Sequence, residues 1–381
     1  MVSFSQFVAA VQTNPFLALV MVLVIGTIFV NGATDAANAI AEPVGTRAIG
    51  VNQAIVMSVI CNFVGLIGMT LISTAVANTM SGMVDFGGDT HAALIALAAA
   101  TVGIVTWASI AWVFGIPTSE SHALIAGLTG AALAVHGGLE GVNMGEWVKV
   151  IYGLVLSSVL GYGAGWIIAR VIPIIFRQAD RRRMNSIFKK WQVVGAAGMA
   201  TMHGAQDGQK FMSTAMMAVL LSQGMSVDGA QFPLWIEVIC AAAMAIGTAI
   251  GGKRIIKKVG MEMVSLEQYQ GFAASVSATA SLLIATLTGL PVSTTHTSTA
   301  AMMGAGAAKN VRSVNWGVAK EMVLAWVFTF PGCGLIGYLL TKLFLVVFLR
   351  RTHAPCQRKR TSSTPCSRTL PRASRMRPWS T

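Results

Sequence analysis

Charge is what this chain has least of: Asp, Glu, Lys and Arg make up 11% of its 381 residues, while 54% are hydrophobic. Soluble domains carry about a quarter charged residues, so this composition excludes an ordinary solvated surface. Several apolar stretches reach the roughly 20 residues that cross a bilayer, and the chain reads as an all-α polytopic membrane protein. Cysteine is scarce and scattered. The five present form no close-spaced pair, and Cys61, Cys240 and Cys333 lie in apolar stretches, which excludes a disulfide framework or a cysteine metal centre. Acids number 14 against 27 bases, yet the net charge of +13 does not point to nucleic acid. Residues 350–381 hold nine Lys/Arg and no acid, and residues 177–190 hold six against Asp180 alone, so the remaining body is close to neutral. Those clusters read as cytoplasmic anchoring and a disordered tail. No Lys or Arg precedes Arg47 and no short hydrophobic region with a cleavage site is present, so the first apolar run is expected to remain as a span.

What is present is repetition. Apolar segments fall at 15–40, 50–79, 92–114, 118–136 and 147–175, and again at 192–221, 232–252, 269–290, 292–308 and 317–349. "NGATDAANAIA" (31–41) matches "HGAQDGQKFMS" (203–213), and "GIPTSESHALIAGLTGA" (115–131) matches "GLPVSTTHTSTAAMMGA" (289–305), at offsets of 172 and 174. Order and spacing both recur, the signature of an internal duplication. The organisation expected is a first membrane repeat over 1–175, a basic cytoplasmic loop over 176–191, a second repeat over 192–349 and the basic tail. Arg47 and the two basic clusters 177–190 and 251–258 place their loops inside, whereas Asp85, Asp89, Glu140 and Glu146 mark outer loops. Five crossings per half then invert the second copy, giving inverted repeats with broken, re-entrant-like helices and about 10–12 membrane segments. The basic tail alone runs against this orientation, and its Arg/Ser/Pro-rich composition sets it apart from the folded unit.

Polar residues concentrate in the repeated motifs. Asp35 and Asp207 hold matching positions. A carboxylate at membrane depth costs at least about 2.5 kcal/mol, so it faces a pore, a partner or an ion. Lys210 follows Asp207 by three residues, within helical reach, and joins the candidate phosphate ligands, whereas Asp35 has the neutral Asn38 at that place. Gly32 and Gly204 favour close packing or local unwinding beside the acids. Asn31 and Gln206 are supporting candidates. The Gly-x-Pro breaks start new helices inside the membrane, with proline in the first turn. Thr118, Ser119 and Ser121 in one copy, and Ser293, Thr294 and Thr295 in the other, add hydroxyls to the free N–H groups and positive end of a helix, which makes an anion cradle. His122 and His296 follow each cradle as packing residues or ligands. Glu120 breaks the symmetry, standing where the second copy has Thr294; beside an anion it serves if it binds a cation, holds a proton or accepts a hydrogen from a protonated oxyanion. Glu42 reads as an interface residue near Arg47.

These motifs resemble those of the PiT-type inorganic phosphate transporters, over about residues 20–345. "NGATDAANAIAEPVGTRAI" is similar to that family's first signature and "HGAQDGQK" to the bacterial form of the second, while "GIPTSESH" and "GLPVSTTH" resemble its Pro-Ser/Thr elements. The resemblance implies phosphate uptake across the plasma membrane driven by a sodium or proton gradient, with no other cofactor, and a homodimer. It implies that Asp35, Asn38 and Asp207 serve the coupling ion or substrate, sodium being a candidate at Asp35 and Asp207; Glu120 joins the coupling-ion candidates on its own chemistry. Ser119, Ser121, Ser293, Thr294 and Thr295 would contact phosphate. Thr34, Gln206 and Glu120 depart from the common pattern, which leaves a sulfate or other oxyanion carrier and an anion channel as alternatives. A hydrolase built on Ser119 with His122, or Ser293 with His296, lacks the Gly-x-Ser-x-Gly and His-Glu-x-x-His signatures, so no enzyme is expected.

Overall fold

The computed structural model describes residues 2–114, 118–225, 231–251 and 263–349. The described residues are almost wholly helical. α1 (Phe4–Thr13) precedes α2 (Pro15–Thr34), which opens on a proline at its first position. A 3₁₀ turn (Ala36–Ile40) and α3 (Ala41–Gly45) follow, then α4 (Val51–Ile72), α5 (Ala75–Ser81), α6 (Thr90–Phe114), α7 (Glu120–His136) and α8 (Met144–Ile175). The second half contains α9 (Arg181–Ser222), α10 (Leu234–Gly251), α11 (Gln268–Leu287), α12 (Thr294–Ala307) and α13 (Trp316–Phe344). Equivalent helices start on equivalent caps: Asn143 accepts from the N–H groups of Gly145 and Glu146, and Asn315 from those of Gly317 and Val318.

Among the described residues, seven helical stretches are long and apolar enough to cross a membrane: 15–45, 51–72, 90–111, 144–175, 234–251, 268–287 and 316–349. The sequence predicts ten. The difference lies in α7, α9 and α12, which are interior helices. α7 and α12, of 17 and 14 residues, reach only about 26 and 21 Å at ~1.5 Å per residue, short of a ~30 Å hydrocarbon core. α9 runs 42 residues but carries His203, Gln206, Asp207, Gln209 and Lys210 in its buried stretch. Such a helix survives because α4 and α11 shield it from lipid. The outer surface shows the reverse pattern, with Val155, Val159 and Ile167 on α8 and Val327, Phe328 and Leu335 on α13 all exposed, as a lipid-facing surface requires.

The two halves exchange partners. α7 packs on α13, and α12 packs on α8. The contacts correspond residue by residue: a Cβ on Gly130 would fall 2.1 Å from the Gly334 carbonyl oxygen, and one on Gly304 would fall 2.1 Å from that of Tyr162. The same exchange holds for the signature glycines, where a Cβ on Gly32 would lie 2.2 Å from the Met244 oxygen and one on Gly204 2.2 Å from the Asn62 oxygen. Only glycine permits these approaches.

The ends of the molecule sort by charge. Asp85 and Glu140 lie together, the Asp85 N–H donating to Gly141 O at 2.9 Å beside a Val84–Val142 bridge. At the other end Thr46 reaches Gln192 at 2.9 Å, and Glu267 pairs with Lys309 and, at 4.0 Å, with Arg181. The bond from Lys309 to Glu267 holds the lysine above its usual range. α8 connects the two ends.

Three expectations are corrected. The segment expected as a loop over 176–191 is helical from Arg181 onward, because Asp180 caps that end, accepting from the Arg182 N–H at 2.7 Å. Glu42 is not an interface residue: it is buried, and Ser298 Oγ donates to it at 3.5 Å. Pro291 lies ahead of the Ser293 cap rather than inside α12, with Gly289 at φ +70° making the turn. The proline break at 115–117, the basic stretch 252–258 and the tail 350–381 lie outside the described residues.

Candidate functional site

The starts of α7 and α12 meet. Ser119 and Ser293 are their N-caps, each accepting from the backbone N–H three residues on, and Ser293 Oγ donates to Ser119 Oγ at 2.8 Å. From this point α7 runs to the acidic end, where His136 Nε2 lies 3.1 Å from Asp85 O, and α12 runs to the end that carries Lys309. Two helix N-termini therefore face one another in the interior, each lined with hydroxyls. Thr118, Ser119 and Ser121, and Ser293, Thr294 and Thr295, are all buried. Helix N-termini so placed favour an anion through their N–H groups and dipoles.

Both aspartates reach the cradles, by different routes. Asp35 sits at the C-cap of α2, where the span unwinds into the 3₁₀ turn. Its Oδ1 accepts from Asn38 Nδ2 at 2.9 Å and from Thr295 Oγ1, and its Oδ2 accepts from the Glu120 N–H at 3.3 Å. Asn38 Nδ2 also donates to Thr295 at 3.0 Å, while the side-chain Oδ1 is buried without a partner. Asp207 lies inside unbroken α9, so the glycine before it serves close packing and not unwinding. Its Oδ1 accepts from Lys210 Nζ at 2.8 Å and Ser121 Oγ at 3.1 Å. Its Oδ2 accepts from Thr294 Oγ1 at 3.0 Å and, at 3.5 Å, from Asn31 Nδ2. Each aspartate thus takes hydroxyl donors from the first turn of a cradle.

Lys210, expected among the phosphate ligands, directs its ammonium at protein oxygens: Asp207 Oδ1 and Ser121 Oγ, both at 2.8 Å, and the Val292 carbonyl. Glu120 Oε1 accepts from Thr34 Oγ1 at 3.1 Å. Three buried carboxylates, Asp35, Glu120 and Asp207, accordingly surround the cradles with one ammonium among them. Gln206 is turned to the Leu290 carbonyl at 3.0 Å, ahead of the second cradle. His122 and His296 pack against each other and against aromatic side chains. Their rings meet edge to face at 4.3 Å and stack on Phe330 and Trp326 of α13. Neither imidazole is bonded to its neighbouring serine, whose hydroxyl instead accepts the histidine's backbone N–H; a nucleophile–base pair is not formed here.

Two further residues enter the site, His203, which the sequence reading did not name, and Thr34, which it named only as a departure from the common pattern. His203 Nε2 lies 3.3 Å from Asp207 Oδ2, and its Nδ1 is 3.0 Å from Asn62 Oδ1. Thr34 holds Glu120. The signal for His203 was its place in the repeat, since it occupies the position of Asn31, which touches the same carboxylate oxygen.

With this geometry in view, comparison with known proteins is informative. Residues 31–337 match the model of the phosphate transporter family. A probable low-affinity inorganic phosphate transporter of Bacillus subtilis is 34% identical over 330 residues, covering 87% of this chain and 97% of that protein. One of the same description from Rhizobium meliloti is 39% identical over 313 residues, covering 82% and 91%. Among solved structures, one described as the sodium-dependent phosphate transporter superimposes with a TM-score of 0.78 at 21% identity, covering 88% of this chain and 100% of that one. The fold, the motifs and these likenesses agree: the chain is a multi-pass membrane protein that belongs to the phosphate transporter family.

Proposed function

We propose that the protein is a cation-coupled symporter that carries inorganic phosphate across the plasma membrane by alternating access, with sodium or protons as the coupling ion. The observation that carries this reading is the meeting of two hydroxyl-lined helix N-termini beside three buried carboxylates. An anion alone would be repelled by those carboxylates, and a cation alone by the helix dipoles; bound together they satisfy both. The names of the relatives and of the structural neighbour agree with phosphate as substrate.

The hydrogen bonds supply a coupling device. Thr295 donates to Asp35, while Ser121 and Thr294 donate to Asp207. A cation on Asp35 competes for that carboxylate and frees the Thr295 hydroxyl to turn toward phosphate. The Ser119–Ser293 bond must part for the anion to enter, so substrate and cation act on the same first turns. The Glu120 carboxylate accepts a hydrogen bond from the P–OH that phosphate near neutral pH still carries and sulfate lacks, which favours phosphate. The exchanged packing and opposite courses of α7 and α12 support two inverted halves that rock about the site. A homodimer agrees with the family resemblance.

The test is uptake of labelled phosphate into proteoliposomes under an imposed sodium gradient, then a proton gradient, with excess sulfate as competitor. Accumulation above equilibrium that survives sulfate supports the reading and identifies the ion. Downhill equilibration alone would indicate a channel, and loss to sulfate another oxyanion carrier.

A further inference from the structure

Asn38 and Lys210 hold the same place in the two copies, each three residues after its aspartate and 172 residues apart. Their surroundings correspond as well. Asn38 bonds Asp35 Oδ1 and Thr295 Oγ1; Lys210 bonds Asp207 Oδ1 and Ser121 Oγ, and Ser121 is the counterpart of Thr295. At this position the two sites differ in charge, a neutral amide against a cation. The lysine's oxygens, one carboxylate, one hydroxyl and one main-chain carbonyl, are the donor set that binds a small hard cation. A lysine ammonium is a compact point charge with three donors, and here it has three acceptors.

The structure assigns Lys210 as a built-in cation: its ammonium holds the cation position of the Asp207 half, so that a transported cation binds only in the Asp35 half. The Asp35 half is built for one. Asn38 and not a lysine stands beside the carboxylate, Glu120 adds a second acid next to Asp35, and the Asn38 side-chain oxygen Oδ1, buried and unpartnered, is a further ligand. On the Asp207 side Lys210 meets the charge requirement at every stage of the cycle without leaving the protein. The inference rests on the symport reading and deepens it, since it states which half carries the mobile charge.

Lys210→Asn tests it by giving the second half the amide that the first half has at this position. Equilibrium binding of labelled sodium to purified protein, and sodium entry per phosphate in proteoliposomes, should both rise by about one ion in this variant, with steeper activation of uptake by sodium. Sodium binding and stoichiometry equal to wild type would overturn the assignment. If Lys210→Asn is not recovered folded, sodium binding to Asp35→Asn decides. Loss of bound sodium supports the assignment, and an ion retained at the Asp207 side overturns it. Failure of the wild type to accumulate phosphate would count against the carrier reading instead, while the binding stoichiometry would still judge Lys210.

Discussion

Asp35 and Asp207 hold corresponding positions in two similar motifs, and the backbones beside them meet the opposite half in the same way through Gly32 and Gly204. Their chemistry differs. Asp207 is embedded in a continuous 42-residue helix with a lysine one turn away, whereas Asp35 stands at a break with only amide, hydroxyl and N–H donors. Packing is alike in the two motifs because a clash between backbones tolerates no change. Charge differs, one motif holding its carboxylate with a fixed ammonium and the other, on the proposed reading, leaving its carboxylate for a mobile cation.

The largest effect expected from breaking this comparison is on stability. Asp207→Ala leaves Lys210 buried without its counter-charge, and removing one partner of such a pair costs about 3–5 kcal/mol. Asp35→Ala strands no cation and should cost less. Thermal unfolding of the two variants in detergent measures the difference, and equal midpoints would contradict the division of roles. For transport the order reverses in character: Asp35→Asn should insert and fold but lose coupled uptake by about 100-fold or more, ~2.7 kcal/mol. Normal gradient-driven uptake by that variant would remove Asp35 from the coupling site.

The glycines sharpen the symmetric side. A Cβ at Gly32 or Gly204 would stand 2.2 Å from a carbonyl oxygen, so either helix must shift. Gly32→Ala and Gly204→Ala are each expected to destabilise by about 1–3 kcal/mol, the usual range for overpacking. Thermal midpoints that fall together would confirm that packing treats the halves alike. A fall in only one would show that the break at Asp35 relieves strain that continuous α9 cannot.

Much of this was legible in the sequence, because duplication leaves fixed offsets and because polar residues inside apolar runs stand out. The two cradles, both aspartates and Glu120 are all in the site. What the sequence did not disclose was pairing across the chain. Nothing local says that Thr295 donates to Asp35, from 260 residues away, or that Ser121 bridges Asp207 and Lys210. Nor did hydropathy recover α9 as one helix, since its basic first turns read as a loop until Asp180 is seen as its cap. For His122 and His296, read as packing residues or ligands, the rings pack on the aromatic face of α13, a partner that the motifs themselves do not name.

The smallest effect concerns the cradles. Ser293 does two jobs, capping α12 through the His296 N–H and donating to Ser119 across the meeting point. Ser293→Ala removes the cap and one hydroxyl, each worth about 1 kcal/mol. Since the second of these bears on the anion, half-saturation for phosphate should rise about 5-fold, while sodium or proton dependence stays as in the wild type. Ser119→Ala gives the matching measurement on the other cradle. Similar shifts would mean that both N-termini grip one anion together. A shift confined to one would mean that phosphate sits against a single helix, and that the halves differ in how they hold the anion as well as the cation.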